Sequence, residues 1–181
     1  TKPYFSAKNV TDGMFYVAGK LYGLEFSERN DIPLYHPDVK TWEVKRDNKH
    51  VGILMIDYHP RASKRGGAWC SGLRPQRIDE NGKFVTPLVS MVTNFTPPSG
   101  DTPSLLTPDE AGTLFHEFGH ALHNLLSNTE YTSGVSRDFV ELPSQIMEHW
   151  VFEPEVLKVY AKHYQTGEVI PDALIEKIEK A

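Results

Sequence analysis

The spacing of apolar residues predicts a helix near the start of the chain. Across residues 10–30, apolar side chains recur at steps of three and four, and Pro33 lies just beyond the polar residues that close this stretch. Such spacing puts the apolar side chains on one helical face, and the proline marks an end. We therefore predict that residues 1–30 form a helix with one buried face.

After this helix, short apolar runs between polar turns predict β-strands. Residues 41–45 alternate between polar and apolar, residues 47–49 are polar, and residues 51–58 are almost wholly apolar. Two such runs around a polar turn are typical of a hairpin. Residues 88–95 form another apolar run and predict a further strand. We expect a small sheet of about three to five strands within residues 40–95.

The remainder of the chain is predicted to be helical. Residues 96–108 contain four prolines and indicate a loop. Thr107, Pro108 and Glu110 then supply the cap, the first-turn proline and the carboxylate of a capping box, which predicts a helix start. We expect helices over residues 107–181. A helix, then a small sheet, then helices makes the fold class α+β and predominantly helical.

Composition and charge exclude several classes of protein. The chain has 181 residues, of which 39% are hydrophobic and 24% charged, as expected for one globular domain. Its net charge of -5 gives no general attraction to nucleic acid, and no apolar run approaches the ~20 residues of a membrane span. We therefore expect neither nucleic acid nor membrane as a partner. No signal peptide is visible, which favours the cytoplasm over the periplasm.

The segment His116-Glu117-x-x-His120 carries the predicted chemistry. On a helix, two histidines four residues apart lie on one face, where both imidazoles can bind one metal ion. Neutral imidazole is a good ligand for Zn²⁺, and a carboxylate next to the ion can act as a general base toward water. The pattern predicts a zinc site with His116 and His120 as ligands and Glu117 as the base.

His123 is not predicted to complete this site. It follows His116 by two helical turns, or ~11 Å of rise, so the three histidines cannot share one ion. We expect it to orient a ligand or to pack. The metzincin pattern is also excluded, because it requires glycine at position 123 and histidine at position 126, where the chain has Leu126.

The third ligand is predicted to be a glutamate from a downstream helix, over residues 138–150. Glu141 is our choice, Glu148 is the alternative, and Glu130 is less favoured because it lies in the polar connection. Asp138 lies one turn before Glu141 and is predicted to hydrogen-bond a ligand histidine and hold its tautomer.

Several segments together resemble one known family. The chain is similar to the thimet oligopeptidase family of zinc peptidases, and most similar to its branch of bacterial peptidyl-dipeptidases and oligopeptidase A. The segments that carry this resemblance are residues 114–123, 137–145, 34–39, 42–44 and 63–69.

The resemblance implies a zincin-like catalytic core of the gluzincin type. It implies one Zn²⁺ per chain on His116, His120 and Glu141, with Glu117 as the catalytic base. The implied reaction is hydrolysis of peptide bonds in short peptides, by a peptidyl-dipeptidase or an oligopeptidase. The substrate backbone is expected to lie along a sheet edge, near residues 66–71 or 91–95.

Family members are several times longer than 181 residues. Their Gly- and Tyr-rich segment, which binds substrate and stabilises the transition state, follows the zinc helices and has no counterpart in this sequence. We therefore expect residues 1–181 to be a truncated part of a catalytic domain. The alternative is a metal-binding fragment without catalysis. The oligomeric state is not predicted, but truncation would favour non-native self-association through uncovered apolar surface.

Overall fold

A computed structural model describes residues 1–131 and 134–180; residues 132, 133 and 181, which fall in the predicted helical stretch, lie outside it. The α-helices in the described part are α1 Ala7–Tyr22, α2 Pro108–Leu125, α3 Leu142–Val151, α4 Pro154–Tyr160 and α5 Asp172–Glu179. The strands there are β1 Leu24–Glu28, β2 Val39–Arg46, β3 Lys49–Asp57, β4 Trp69–Arg74, β5 Arg77–Ile78, β6 Phe84–Val85 and β7 Leu88–Val92.

Five of these strands form one mixed sheet in the order β1-β2-β3-β7-β4, and β5 and β6 form a separate pair. The predicted hairpin is confirmed as the antiparallel pair β2 and β3, which is joined by Asp47 and Asn48, both with positive φ. Strand β7 then adds parallel to β3, and β4 pairs antiparallel with β7. The α+β class is confirmed, and β4 lies at one edge of the sheet.

The first helix is shorter than the predicted stretch of residues 10–30. Helix α1 ends at Tyr22, and the next residue, Gly23, has a left-handed φ of 66° and donates its N–H to the backbone oxygen of Gly19. Leu24–Glu28 then forms β1, which pairs antiparallel with β2. The prediction of a helix beyond position 23 is therefore wrong, because the left-handed Gly23 ends the helix and the following segment is a strand.

The hydrophobic core lies between one face of the sheet and the helices. Helix α2 packs across the sheet against β3, β4 and β7, and also contacts α1 and α3. Phe115 and Phe118 of α2 are fully buried there, with Leu54 of β3 and Met91 of β7. Helix α2 is thus packed between the sheet and the neighbouring helices. These contacts fix the orientation of the face of α2 that is not buried in the core. Among the described residues, no helix combines the length and apolar character needed to cross a lipid bilayer.

The residues around the start of α1 join distant parts of the chain. The Leu106 N–H donates to the backbone oxygen of Phe5 at 2.7 Å, and the Ala7 N–H donates to that of Ser104 at 2.8 Å. The Asn9 side chain donates to the backbone oxygen of Lys162 at 3.1 Å. The start of α1 is therefore tied to both the loop before α2 and the segment after α4.

Candidate metal centre

Helix α2 begins with the predicted capping box. The Thr107 hydroxyl accepts from the Glu110 N–H at 3.1 Å, and the Glu110 carboxylate accepts from the Thr107 N–H at 2.8 Å. These bonds satisfy two backbone donors that a helix start leaves open. The predicted start at Pro108 is confirmed. His116 and His120 therefore lie about one helical turn apart on the same face of α2.

Three donor atoms converge beside α2. Nε2 of His116 lies 3.2 Å from Oε2 of Glu141, and Nε2 of His120 lies 3.1 Å from the same oxygen. One ligand atom from each of the three residues lies within 4.8 Å of the other two. Glu141 immediately precedes α3, so the cluster joins two helices.

Glu141 is held in place by its own helix. The Ser144 hydroxyl is buried and lies 2.8 Å from Oε2 of Glu141. Hydrogen bonding from Ser144, with the nearby His120 and His116, lowers the pKa of Glu141 below its ordinary value despite some desolvation. The carboxylate form, which is the form that binds a cation, is therefore favoured.

The close approach of α2 and α3 depends on Gly119. A Cβ at this position would lie 2.4 Å from the backbone oxygen of Pro143 and 2.5 Å from Cα of Ser144. Gly119 stands between His116 and His120 in the sequence, and the backbone of α3 packs directly against it. A side chain here would push Glu141 away from both imidazoles.

Glu148 takes a different role from the alternative one predicted for it. Its Oε1 atom hydrogen-bonds Nδ1 of His116, while Nε2 of that ring points toward Glu141. A carboxylate on Nδ1 favours the tautomer that carries its proton there, which leaves Nε2 free to bind a metal. Glu148 lies on α3, two helical turns after Glu141. This spacing is the sequence feature that places Glu148 on the same side of the helix as Glu141.

The structure does not bring Asp138 to a ligand histidine. Helix α3 starts at Leu142, so Asp138 lies in the preceding turn, where its carboxylate accepts a hydrogen bond from Ser136 that lowers its pKa. No ion pair joins Asp138 to His116 or His120 in the described part of the chain. The predicted one-face spacing required a helix through residue 138, and that helix is absent.

His123 lies outside the donor cluster. Its ring makes an edge contact with Phe139, with the two ring centroids 6.3 Å apart. The cluster found among the described residues contains His116, His120 and Glu141 only. Glu130 is exposed in the connection between α2 and α3 and is likewise outside this cluster.

Glu117 lies beside the cluster and is buried, with 7% of its surface exposed. Burial raises the pKa of its carboxyl group, the nearby Glu141 raises it further, and His116 opposes them. Glu117 lines a cleft with His116, Ala68 and Glu148. A carboxyl group in this position can hold a proton more readily than an exposed glutamate.

The three donor residues match the ligand chemistry of a metal ion. Two imidazole nitrogens and one carboxylate oxygen are the protein ligands of one common class of catalytic zinc site, which leaves a position open. Burial lowers the pKa of His120, so its ring favours the neutral form needed for binding. The donor atoms already face one another without rearrangement, and the residues therefore fit Zn²⁺.

Comparison with known proteins gives consistent matches. A family model described as peptidase family M3 matches residues 1–181. The chain is 44% identical over 187 residues to a dipeptidyl carboxypeptidase of Escherichia coli strain K12, which covers 99% of this chain and 27% of that protein. It is 40% identical over 183 residues to oligopeptidase A of the same strain, covering 98% and 27% respectively.

A plant protein gives a similar result. The organellar oligopeptidase A of Arabidopsis thaliana is 39% identical over 188 residues, which covers 98% of this chain and 24% of the plant protein. The chain thus spans about a quarter of the length of the curated relatives that it matches.

Proposed function

Because the chain belongs to peptidase family M3, we propose that it forms the metal-binding part of a zinc peptidase that hydrolyses peptide bonds in short peptides. The convergence of the His116, His120 and Glu141 donor atoms carries this proposal. The names of the bacterial relatives, dipeptidyl carboxypeptidase and oligopeptidase A, support peptides as the substrate class. The mode is either release of dipeptides or cleavage of oligopeptides, and the cytoplasm remains the predicted compartment.

The proposed core is zincin-like and of the gluzincin type. His116 and His120 from α2 and Glu141 before α3 would hold one Zn²⁺ per chain. When bound, zinc supplies a Lewis acid that polarises the scissile carbonyl group. Glu148 keeps the His116 ring in the metal-binding tautomer, and Ser144 keeps the Glu141 carboxylate turned toward the histidines.

Glu117 is the proposed general base. Its carboxylate takes a proton from the attacking water, holds it in the buried cleft, and delivers it to the nitrogen of the leaving amine. Burial and the negative charge of Glu141 raise the pKa of Glu117, which makes its carboxyl group a better proton carrier near neutral pH. The transfer is therefore supported by the position of Glu117 as well as by its residue type.

The substrate backbone is proposed to lie along β4. This strand pairs with β7 on one side, and its other edge carries no strand among the described residues. Ala68 at its start lines the cleft with His116 and Glu117. An extended peptide adding to the free edge would use backbone hydrogen bonds, which suits substrates of varied sequence.

The Glu117→Gln variant tests the proposed function. We expect it to retain zinc, measured by elemental emission, and to lose hydrolysis of short peptides by about 100-fold or more. Glu130→Gln is the matched control and should retain both, since Glu130 lies outside the cluster. His116→Ala should lose zinc and hydrolysis together. Near-normal cleavage by Glu117→Gln would contradict its assignment as the base.

The same measurements address the alternative, a metal-binding segment without catalysis. Stoichiometric zinc with no cleavage by the unsubstituted chain would favour it. The coverage of only 27% of the bacterial relatives is the observation behind this alternative, because other parts of those proteins have no counterpart here.

A further inference from the structure

Side chains of β4 alternate between two different surroundings. Cys70 packs against the main core, and a Cβ at Gly72 would lie 3.0 Å from Asn124 of α2. Trp69, Ser71 and Leu73 point to the opposite face of the sheet, where they line a cavity of about 460 Å³. We call this cavity, on the face of the sheet away from α2, the basic pocket.

Positive charge exceeds negative charge in the basic pocket. Its ionic side chains are Asp57, Arg61, Lys64 and Arg65. Asp57 is paired with both Arg61, at 2.8 Å, and Lys64, at 3.1 Å. These three lining groups together carry one positive charge, which the Asp38 carboxylate close outside the lining offsets, and Arg65 supplies the remaining positive charge. The pocket therefore has an electrostatic preference for an anionic group.

Among the described residues, Arg65 is the cation of this pocket for which no acidic partner is found. Its guanidinium lies 4.7 Å from the centre of the Trp69 ring, and no carboxylate within the described residues forms an ion pair with it. Stacking on an aromatic face leaves the N–H groups around the guanidinium plane available for hydrogen bonding.

The backbone that carries Arg65 is fixed to the sheet. The side chain of Asn94 donates to the backbone oxygens of Arg65, at 3.0 Å, and Gly67, at 2.7 Å. Lys64 is buried and donates to the backbone oxygens of His59 and Thr93. The guanidinium is thus presented from a held loop onto Trp69, and an incoming anion would not have to order this loop first.

An extended peptide on the free edge of β4 would itself alternate between the two faces. A side chain directed toward α2 approaches the zinc cleft, and the next one is directed toward the basic pocket. Building on the proposed function, we propose that the basic pocket binds an acidic side chain of the peptide, with Arg65 as its counter-ion. Trp69 positions the guanidinium, and Ser71 offers a further hydrogen bond from the same face of β4.

Peptide binding measured by calorimetry tests this proposal. The zinc-loaded Glu117→Gln chain is titrated with peptide pairs that differ only by Glu or Gln at one position, and this position is moved along the peptide. When the variable residue is at one position of the peptide, or at positions two residues apart, the Glu peptide should bind about threefold to tenfold more tightly than the matching Gln peptide. This preference should shrink in 0.5 M salt, as expected for a partly exposed ion pair.

Variants at Arg65 separate charge recognition from general damage. Arg65→Ala should abolish the preference for Glu while leaving affinity for the Gln peptide unchanged, and Arg65→Lys should restore part of it. Arg77→Ala, which removes an exposed arginine on β5, is the control and should retain the full preference. An equal loss for both peptides in Arg65→Ala, or no preference at any position in the parent chain, would overturn the proposal.

The binding preference is measured separately from hydrolysis, so the two proposals can fail independently. If the unsubstituted chain cleaves no peptide but the Arg65-dependent preference is present, the basic pocket is supported and the proposed function fails. If peptides are cleaved and no preference is found, the proposed function stands and the basic pocket is rejected.

Discussion

The residues around the donor cluster differ in what they contribute to binding. In the proposed zinc site, the histidines and Glu141 supply the ligand atoms, whereas Glu148 and Ser144 set the tautomer and the orientation of those atoms. Glu148 and Ser144 are identified by their hydrogen bonds and not by a sequence motif, because their positions are not set by the spacing of the two histidines.

Glu148→Gln is expected to weaken zinc binding by about 10- to 100-fold, because the amide no longer stabilises the required tautomer of His116 as strongly. Competition with a chromogenic chelator measures the change. Asp138→Asn is the matched control and should bind zinc as the parent does, since Asp138 contacts Ser136 instead. Equal losses in both variants would restore the predicted role of Asp138.

Asp57 is a buried carboxylate whose ionic partners determine its pH response. Burial raises its pKa, but hydrogen bonds from Arg61 and Lys64 outweigh this and hold the pKa below its ordinary value. Folding is therefore stabilised by this group above the unfolded-state pKa of about 4, and that contribution is lost as the pH falls through the folded-state pKa.

Asp57→Asn should remove this acid-dependent contribution and destabilise the fold at neutral pH by about 3–5 kcal/mol, because Lys64 is left buried without its partner. Urea unfolding between pH 2 and pH 7 measures both effects. The double variant Asp57→Asn, Lys64→Met should regain part of the neutral-pH loss. A single variant as stable as the parent would contradict the argument.

At the scale of elements, the donor cluster of His116, His120 and Glu141 depends on how closely α2 and α3 pack. Helix α2 contains Gly119, which faces the backbone of α3, and Gly112, where an added Cβ would meet no atom within 4 Å. Substituting alanine at Gly119 and at Gly112 therefore distinguishes the effect of helix packing from the effect of helix propensity.

Gly119→Ala should destabilise the fold by about 1–3 kcal/mol and weaken zinc binding, because α3 and Glu141 must move. Gly112→Ala should stabilise the helix by about 0.5–1 kcal/mol, since alanine is the better helix former. Thermal unfolding with and without zinc measures both. Similar effects of the two substitutions would contradict the packing argument.

Local patterns predicted the elements whose signals are local. The capping box located α2, and the polar turn at residues 47–49 located the hairpin of β2 and β3. Strand β1 was missed because a single left-handed residue, Gly23, separates it from α1. The parallel pairing of β3 with β7 depends on contacts far apart in sequence, which periodicity does not encode.

The same distinction holds for the candidate site. The spacing of His116 and His120 is set within one helix and was predictable. The partner of His116 depended on where α3 begins, and a start at Leu142 places Glu148 within reach while leaving Asp138 in a turn. Boundaries are the least reliable part of a sequence-based prediction, so this partner could not be chosen beforehand.

At the scale of the molecule, apolar surface remains uncovered near the start of α3. Phe139, Leu142 and Ile146 are each more than 40% exposed, and the last two line a cavity of about 410 Å³ beside α2. Contiguous apolar surface of this kind favours association between proteins.

We expect the isolated chain to self-associate with rising concentration, as measured by light scattering. The variant Leu142→Gln, Ile146→Gln should shift the chain toward the monomer, because it removes apolar area from the contact. Val159→Gln, an exposed position on α4, is the control and should not. A parent chain that stays monomeric throughout would disprove this expectation.

The start of α1 has a consequence for the order of folding. The hydrogen bond from Asn9 to Lys162 joins residues 153 positions apart. Closing a loop of that length costs about 4 kcal/mol of chain entropy before any contact compensates for it. Helices α2 and α3 and the hairpin of β2 and β3 close far shorter loops. The docking of α1 against α4 is therefore expected late in folding, after the elements that carry the donor cluster have met.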